Sequence, residues 1–102
     1  MIRKLVVPKE LGEGIEVRLL QWYKAEGDLV GVDEAILEFE TDKAIVLVGA
    51  KQAGLLRKCF YGAGDWMQTG DVVGWLSDEL DEPLPAERDA QAEVLLVSFD
   101  AT

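Results

Sequence analysis

An internal repeat constrains the fold of this chain more than any other feature of its sequence. The stretch LLQWYKAEGDLV at 19–30 can be laid over LRKCFYGAGDWM at 56–67 with a shift of 37 residues. In this register Gly27–Asp28 falls on Gly64–Asp65, and apolar positions on both sides agree. Two similar halves, each of about four short strands, predict a sandwich or flattened barrel with pseudo-twofold symmetry.

Short strand-like segments separated by turns fill the chain up to Glu79. Segments rich in apolar and β-branched residues lie at 2–7, 15–23, 35–40, 44–49, 55–61 and 72–77, and turns with glycine separate most of them. No segment before Glu79 has a convincing 3.6-residue apolar period, which argues against helices. We therefore predict that residues 1–79 form one all-β domain, a flattened barrel or sandwich of two four-stranded antiparallel sheets.

The composition changes after Glu79. Residues 80–102 are acidic, contain Pro83 and Pro85, and carry half of the net charge of −10 in under a quarter of the chain. Such a segment is typical of a linker or a tail. Its apolar stretch at 93–99 is interpreted as an added strand, with a docking segment for a partner as the alternative.

The residue types argue against catalysis. There is no histidine, and the single cysteine, Cys59, lies in an apolar segment where a core position is expected. No nucleophile–base pair, paired cysteines or calcium loop is present, so we expect neither an enzyme nor a metal site. The net charge of −10 argues against nucleic acid and anionic membranes and favours a soluble monomer. The single cysteine and the lack of a signal-peptide pattern indicate a cytoplasmic protein.

Lys43 stands between the two halves of the repeat. The first half ends with the strand-like segment 35–40 and the second begins with 44–49, so Thr41–Asp42–Lys43 must form the turn between them. Asp and Lys at the centre of a tight turn point into solvent. We therefore predict that Lys43 lies at the tip of an exposed hairpin.

The residues around this turn resemble the lipoyl domains of 2-oxo acid dehydrogenase complexes. The stretch ETDKA at 40–44 is similar to the lipoylation motif of that family, and VPKELGEG at 7–14 is similar to its opening stretch. WYKAEGD at 22–28 and AGLLRKCFYGAGDWMQTGDVVGWL at 53–76 are similar to its segments before and after the lysine. The resemblance covers about residues 2–79. It implies either a domain of an acyltransferase or a stand-alone small protein of the biotinyl/lipoyl attachment family.

The resemblance also implies the roles of individual residues. Lys43 would carry covalent lipoate, and Gly27 and Gly54 would be structural glycines that allow a turn or a close backbone approach. The hairpin that the lipoate-attaching enzyme recognises would consist of Glu40, Thr41, Asp42 and Ala44. The partner-recognition loop would consist of Pro8, Lys9, Glu10, Leu11, Gly12, Glu13 and Gly14. Substitutions within the core would account for Met67 and for the aromatic residues Trp22, Tyr23, Trp66 and Trp75.

The loop departs from the family pattern, because two residues, Lys9 and Glu10, separate the proline from Leu-Gly where the family usually has one. This difference concerns the identity of the partner more than the modification. The tail after residue 79 resembles no part of the family.

The function implied by the resemblance is that of a swinging-arm carrier without catalytic residues of its own. Lipoate on the lysine would carry acyl groups and reducing equivalents between the 2-oxo acid dehydrogenase, acyltransferase and dihydrolipoamide dehydrogenase components. Biotin, in a biotin carboxyl carrier-type domain, is the alternative cofactor, although the lysine of those domains typically lies between methionines. An unmodified scaffold or interaction module of the same fold is the second alternative.

Overall fold

A computed structural model describes residues 1–88 and 91–101, and strands dominate its secondary structure. These residues form ten strands: β1 (Ile2–Val6), β2 (Glu16–Trp22), β3 (Leu29–Val30), β4 (Ala35–Glu40), β5 (Ile45–Ala50), β6 (Gly54–Cys59), β7 (Trp66–Gln68), β8 (Val72–Ser77), β9 (Glu93–Val94) and β10 (Val97–Ala101). The helical structure within them is one 3₁₀ turn at Lys9–Leu11. No helix in this described part of the chain is long and apolar enough to cross a membrane.

The strands form two sheets that enclose one core. The strand order is β3-β6-β8-β1-β9 in the first sheet and β10-β5-β4-β2-β7 in the second sheet. The first eight strands alone give two four-stranded antiparallel sheets, as the sequence predicts. The tail then adds a fifth strand to each sheet, so the prediction of four strands per sheet is too small by one.

The tail contributes two strands where the sequence predicts one at 93–99. Glu93–Val94 pairs in parallel with β1, whereas Val97–Ala101 pairs antiparallel with β5 in the other sheet. The segment is divided because Leu95, which is 2% exposed, enters the core between the two strands. The tail therefore crosses from the first sheet to the second at this buried leucine.

Pseudo-twofold symmetry relates the two sheets. Exchanging β1 with β5, β2 with β6, β3 with β7 and β4 with β8 converts the order of the first eight strands in one sheet into that of the other. The N–H of Gly27 donates to the Leu56 carbonyl at 2.7 Å, and the N–H of Gly64 donates to the Leu19 carbonyl at 2.7 Å. The φ angles of the two glycines are +98° and +93°, a conformation that favours glycine. The repeat in the sequence is therefore a repeat in the hydrogen bonding.

The core lies between the sheets and is filled from alternate positions along most strands. Its buried members are Leu5, Val7, Val17, Leu19, Val30, Ile36, Leu37, Phe39, Val46, Val48, Ala50, Leu56, Met67, Val73, Leu76 and Leu95. Trp75 is also buried, and Trp22 packs against this cluster, as the sequence predicts. The same prediction is wrong for Tyr23 and Trp66, which are 44% and 62% exposed. In β7, Met67 takes the inward position, so its neighbour Trp66 remains at the surface.

Candidate functional site

The turn between β4 and β5 is closed by one threonine. The N–H of Thr41 donates to the Ala44 carbonyl at 2.8 Å, which joins the two ends of the turn. The Thr41 hydroxyl oxygen also accepts the backbone N–H groups of Lys43 and Ala44, both at 3.1 Å. The turn joins β4 to β5, which pair antiparallel on either side of it. The hydrogen bonds of Thr41 therefore fix the turn at the end of a paired hairpin. A side chain on Lys43 is thus attached to a fixed backbone.

The side chain of Lys43 is open to solvent. Both Asp42 and Lys43 are exposed, whereas Thr41 and Ala44 are partly buried. Within residues 1–88 and 91–101, the Lys43 ammonium group makes no ion pair or hydrogen bond. A modifying enzyme could therefore reach this amine without breaking a contact of the folded domain. The structure places Lys43 where the sequence predicts, in an exposed hairpin turn.

Glu40 interacts with a neighbouring strand. It is the last residue of β4 and lies opposite Arg18 of β2. A nitrogen of the Arg18 guanidinium group lies 3.8 Å from the Glu40 carboxylate, and Arg18 Nε donates to the Gly64 carbonyl at 3.4 Å. Both charged side chains are well exposed, so the pair contributes little to stability. Its effect is to keep the Glu40 carboxylate on the outer face of the second sheet.

An open groove of about 370 Å³ runs beside the turn. It is lined by Gly14, Ile15, Glu16, Glu40, Thr41, Asp42 and Trp66. Trp66 is the large exposed side chain in this set, although the sequence predicts a core position for it. The alternation of Trp66, Met67 and Gln68 could have indicated that Trp66 is exposed. In a strand, a polar Gln68 that faces outward implies that Trp66, two residues earlier, also faces outward.

The predicted partner-recognition loop divides into two parts. Its last residue, Gly14, lines the groove beside the turn together with Asp42. Its earlier residues, Pro8, Lys9 and Glu10, line a separate cleft with the tail residues 94–97. Leu11, Gly12 and Glu13 connect these two parts, and Gly12 has a φ of +126°. Only the end of the loop therefore lies beside the lysine turn.

The two predicted structural glycines have different local roles. Gly27 has a positive φ of +98° in the turn before β3. Gly54 begins β6, where a Cβ atom would meet the Ser77 carbonyl oxygen at 3.4 Å and Leu76 at 3.6 Å. The first glycine serves a turn, whereas a Cβ atom at the second would make only ordinary van der Waals contacts with β8. Neither lines the groove beside the turn.

Comparisons with known proteins agree with this geometry. A family model described as Biotin-requiring enzyme, for the biotin and lipoyl attachment domain, matches residues 4–76. The solution structure of the lipoyl domain of the 2-oxoglutarate dehydrogenase complex from Azotobacter vinelandii has a TM-score of 0.57 and 30% sequence identity. That alignment covers 62% of this chain and 80% of that domain.

Two curated relatives are acyltransferase components of dehydrogenase complexes. The chain is 38% identical over 88 residues to the dihydrolipoyllysine-residue succinyltransferase component of the Bacillus subtilis 2-oxoglutarate dehydrogenase complex. It is 34% identical over 92 residues to the lipoamide acyltransferase component of the Bos taurus branched-chain alpha-keto acid dehydrogenase complex. These matches cover 82% and 89% of this chain but only 21% and 18% of the relatives. The chain thus spans about a fifth of their length.

Proposed function

This chain belongs to the biotin and lipoyl attachment family, and we propose that it is a lipoyl carrier domain with lipoate joined through an amide to Nζ of Lys43. The observation that supports this most directly is the exposed amine of Lys43, unpaired within the described residues, on a turn fixed by the Thr41 hydroxyl. A carrier must offer such an amine to the attaching enzyme. It must then hold the arm on a backbone that does not move.

The chemistry at Lys43 is acylation of an amine. The Nζ atom loses a proton and attacks an activated carboxyl group of lipoate, and the activating group departs as the amide bond forms. The amide removes the positive charge of the lysine. When bound, lipoate supplies a disulfide that can be opened, acylated and reoxidised. The chain's own residues supply the attachment point and its orientation.

The partners follow from this carrier role. We propose that the loaded domain meets a lipoate-attaching enzyme, a 2-oxo acid dehydrogenase, an acyltransferase and a dihydrolipoamide dehydrogenase. A covalent tether raises the concentration of the arm at each of these active sites without any new contact. The domain itself would contribute no catalytic residue.

One mass measurement tests the proposal. The full chain is co-expressed with a lipoate-attaching enzyme and lipoate, and its intact mass is expected to increase by one lipoyl group. Lys43→Arg keeps the positive charge but cannot be loaded by this chemistry, so its mass should not change. Lys51→Arg is the matched control, because Lys51 is another exposed lysine at the end of β5 and its loss should leave loading intact.

Two results would contradict the proposal. An unchanged mass of the wild-type chain, with the enzyme active on a control lipoyl domain, would indicate an unmodified scaffold. Loading by a biotin-attaching enzyme in place of the lipoate enzyme would indicate a biotin carrier.

The loaded domain can then be offered to the dehydrogenases for 2-oxoglutarate, pyruvate and branched-chain oxo acids, each with its own substrate. Acylation by one of them would identify the complex.

A further inference from the structure

An exposed tryptophan lies close to the proposed attachment site. Trp66 is 62% exposed, although a tryptophan gains most from burial. The repeat gives a direct comparison, because Leu29 occupies the pseudo-equivalent position in β3 and is 63% exposed. Both positions are surface positions of the fold. Only the position beside the Lys43 turn carries an aromatic ring.

The sheet register connects Trp66 to the turn. Arg18 of β2 lies opposite Trp66 on one side and opposite Glu40 on the other. Adjacent strands are about 5 Å apart, so the backbones at Trp66 and Glu40 are separated by about 10 Å. Glu40 is followed by Thr41 and Asp42, which line the groove together with Trp66. The groove therefore leads from the lysine turn to the indole ring.

We propose that this groove is the resting site of the lipoyl arm and that the dithiolane ring lies against the indole of Trp66. The inference rests on the proposed attachment of lipoate to Lys43. The groove is lined by Asp42, the neighbour of Lys43, and by Trp66, so an arm made of the lysine side chain, the amide and the pentanoyl chain in series can follow it from the turn to the indole ring. Sulfur atoms make favourable contacts with aromatic rings, and such contacts would stabilise the dithiolane ring at Trp66.

The charges around the groove argue against an anionic occupant. Glu16, Glu40 and Asp42 line the groove, so an anionic ligand would be repelled. The lipoyl arm has no charge once its carboxyl group is an amide. Because the arm is tethered to the next residue after Asp42, it meets the groove at a high effective concentration. Ile15 adds apolar surface for the methylene chain.

Indole N–H resonances in NMR spectra of the full chain test the inference. The Trp66 signal is identified by its loss in Trp66→Phe, and loading is first verified by intact mass. Three forms are compared: unloaded, loaded with octanoate, which lacks the sulfur atoms, and loaded with lipoate. The Trp66 resonance should shift on lipoylation and shift less on octanoylation, whereas the signals of Trp22 and Trp75 should stay in place. Leu29→Ala is the matched control and should leave the Trp66 shift unchanged.

The possible failures are distinguishable. If the chain is fully lipoylated and the Trp66 resonance does not move, the resting site is refuted while the carrier function stands. A lipoyl-induced shift that is equal at all three tryptophans would also refute it, because it would report a change of the whole domain. If Lys43 is not loaded at all, the proposed function itself fails and this inference fails with it.

Discussion

Replacing Thr41 by valine should loosen the turn that carries Lys43. Valine keeps the shape of threonine but removes the hydroxyl, which donates to the Ala44 carbonyl at a long 3.3 Å and accepts two hydrogen bonds, from the N–H groups of Lys43 and Ala44. Both accepted bonds are 3.1 Å long, near the upper end of the usual range, and the turn is open to water. We therefore take the low end of the net value of a hydrogen bond, about 0.5 kcal/mol each. The expected loss is about 1 kcal/mol in the free energy of unfolding.

Thermal and urea unfolding followed by circular dichroism measure this loss. For a domain of this size, 1 kcal/mol corresponds to a decrease in Tm of roughly 4–8 °C. Thr41→Ser retains the accepting oxygen and should lose much less. Thr69→Val is the matched control, because Thr69 is also partly buried and its hydroxyl makes no hydrogen bond within the described residues.

The same variant should be a poorer substrate for lipoylation. If the enzyme requires the turn in its native form, a penalty of about 1 kcal/mol lowers kcat/KM by at most about fivefold. The reasoning would be refuted if Thr41→Val were as stable and as readily loaded as the wild type. It would also be refuted if Thr69→Val lost the same stability, since the effect would then belong to any threonine and not to the turn.

Three further predictions concern stability and reactivity. Gly74→Ala should cost about 3 kcal/mol in urea unfolding, because its new Cβ atom would overlap the Lys58 carbonyl oxygen across the sheet; an unchanged midpoint would contradict this packing. Burial, with the Glu26 carboxylate as a smaller cause, raises the pKa of Cys59 to about 11. Its thiol should therefore react with a disulfide reagent at pH 8 about tenfold more slowly in the folded than in the unfolded chain, because the loss of thiolate outweighs its greater nucleophilicity. A hydrogen bond from Arg3 lowers the pKa of Asp78, so the carboxylate stabilises the fold at neutral pH and this contribution disappears as the pH falls through the lowered pKa. Asp78→Asn should therefore be less stable than the wild type at pH 7 and equal to it in strong acid, as measured by urea titrations.

The repeat made much of the fold predictable. Once Gly27 was matched with Gly64, the strands on either side of each glycine had to correspond, and the structure has them in that register. The lysine turn followed from the same match, because it lies where one half ends and the other begins. In β2, Leu20 interrupts the alternation of apolar and polar residues that runs from Ile15 to Leu19, and the structure has a register shift between Leu19 and Gln21. Local pattern and long-range pairing agree at these positions.

The exposure of Trp66 is a feature that the repeat did not predict. An aromatic residue near a Gly-Asp turn is expected in the core, and composition gives no reason to place it elsewhere. Its exposure depends on a strand of three residues in which Met67 is the inward one. The polar Gln68 marks the outward side only once residues 66–68 are known to form a strand. That strand depends on pairing with β2, which joins segments about fifty residues apart in the sequence.

The recognition loop shows the same limit. Its departure from the family pattern, two residues at Lys9 and Glu10 in place of one, predicts a change in the identity of the partner. In the structure these residues form the 3₁₀ turn and line a cleft with residues 94–97. Their neighbours are tail residues beyond 79, where the resemblance read from the motifs ends, so it could not indicate where the loop would lie.

The two tail strands cover pseudo-equivalent edge strands of the two sheets, and one of these edge strands forms part of the lysine hairpin. β9 pairs with β1 and β10 pairs with β5, so each covers the same strand of the repeated four-stranded sheet. An uncovered edge strand presents unpaired backbone groups and invites pairing with another chain. β5 is also the strand that follows Lys43 and forms one side of its hairpin. The family model matches residues 4–76 and therefore includes the lysine turn. The strand that hydrogen-bonds to the other side of β5, Val97–Ala101, lies beyond the residues that this model matches.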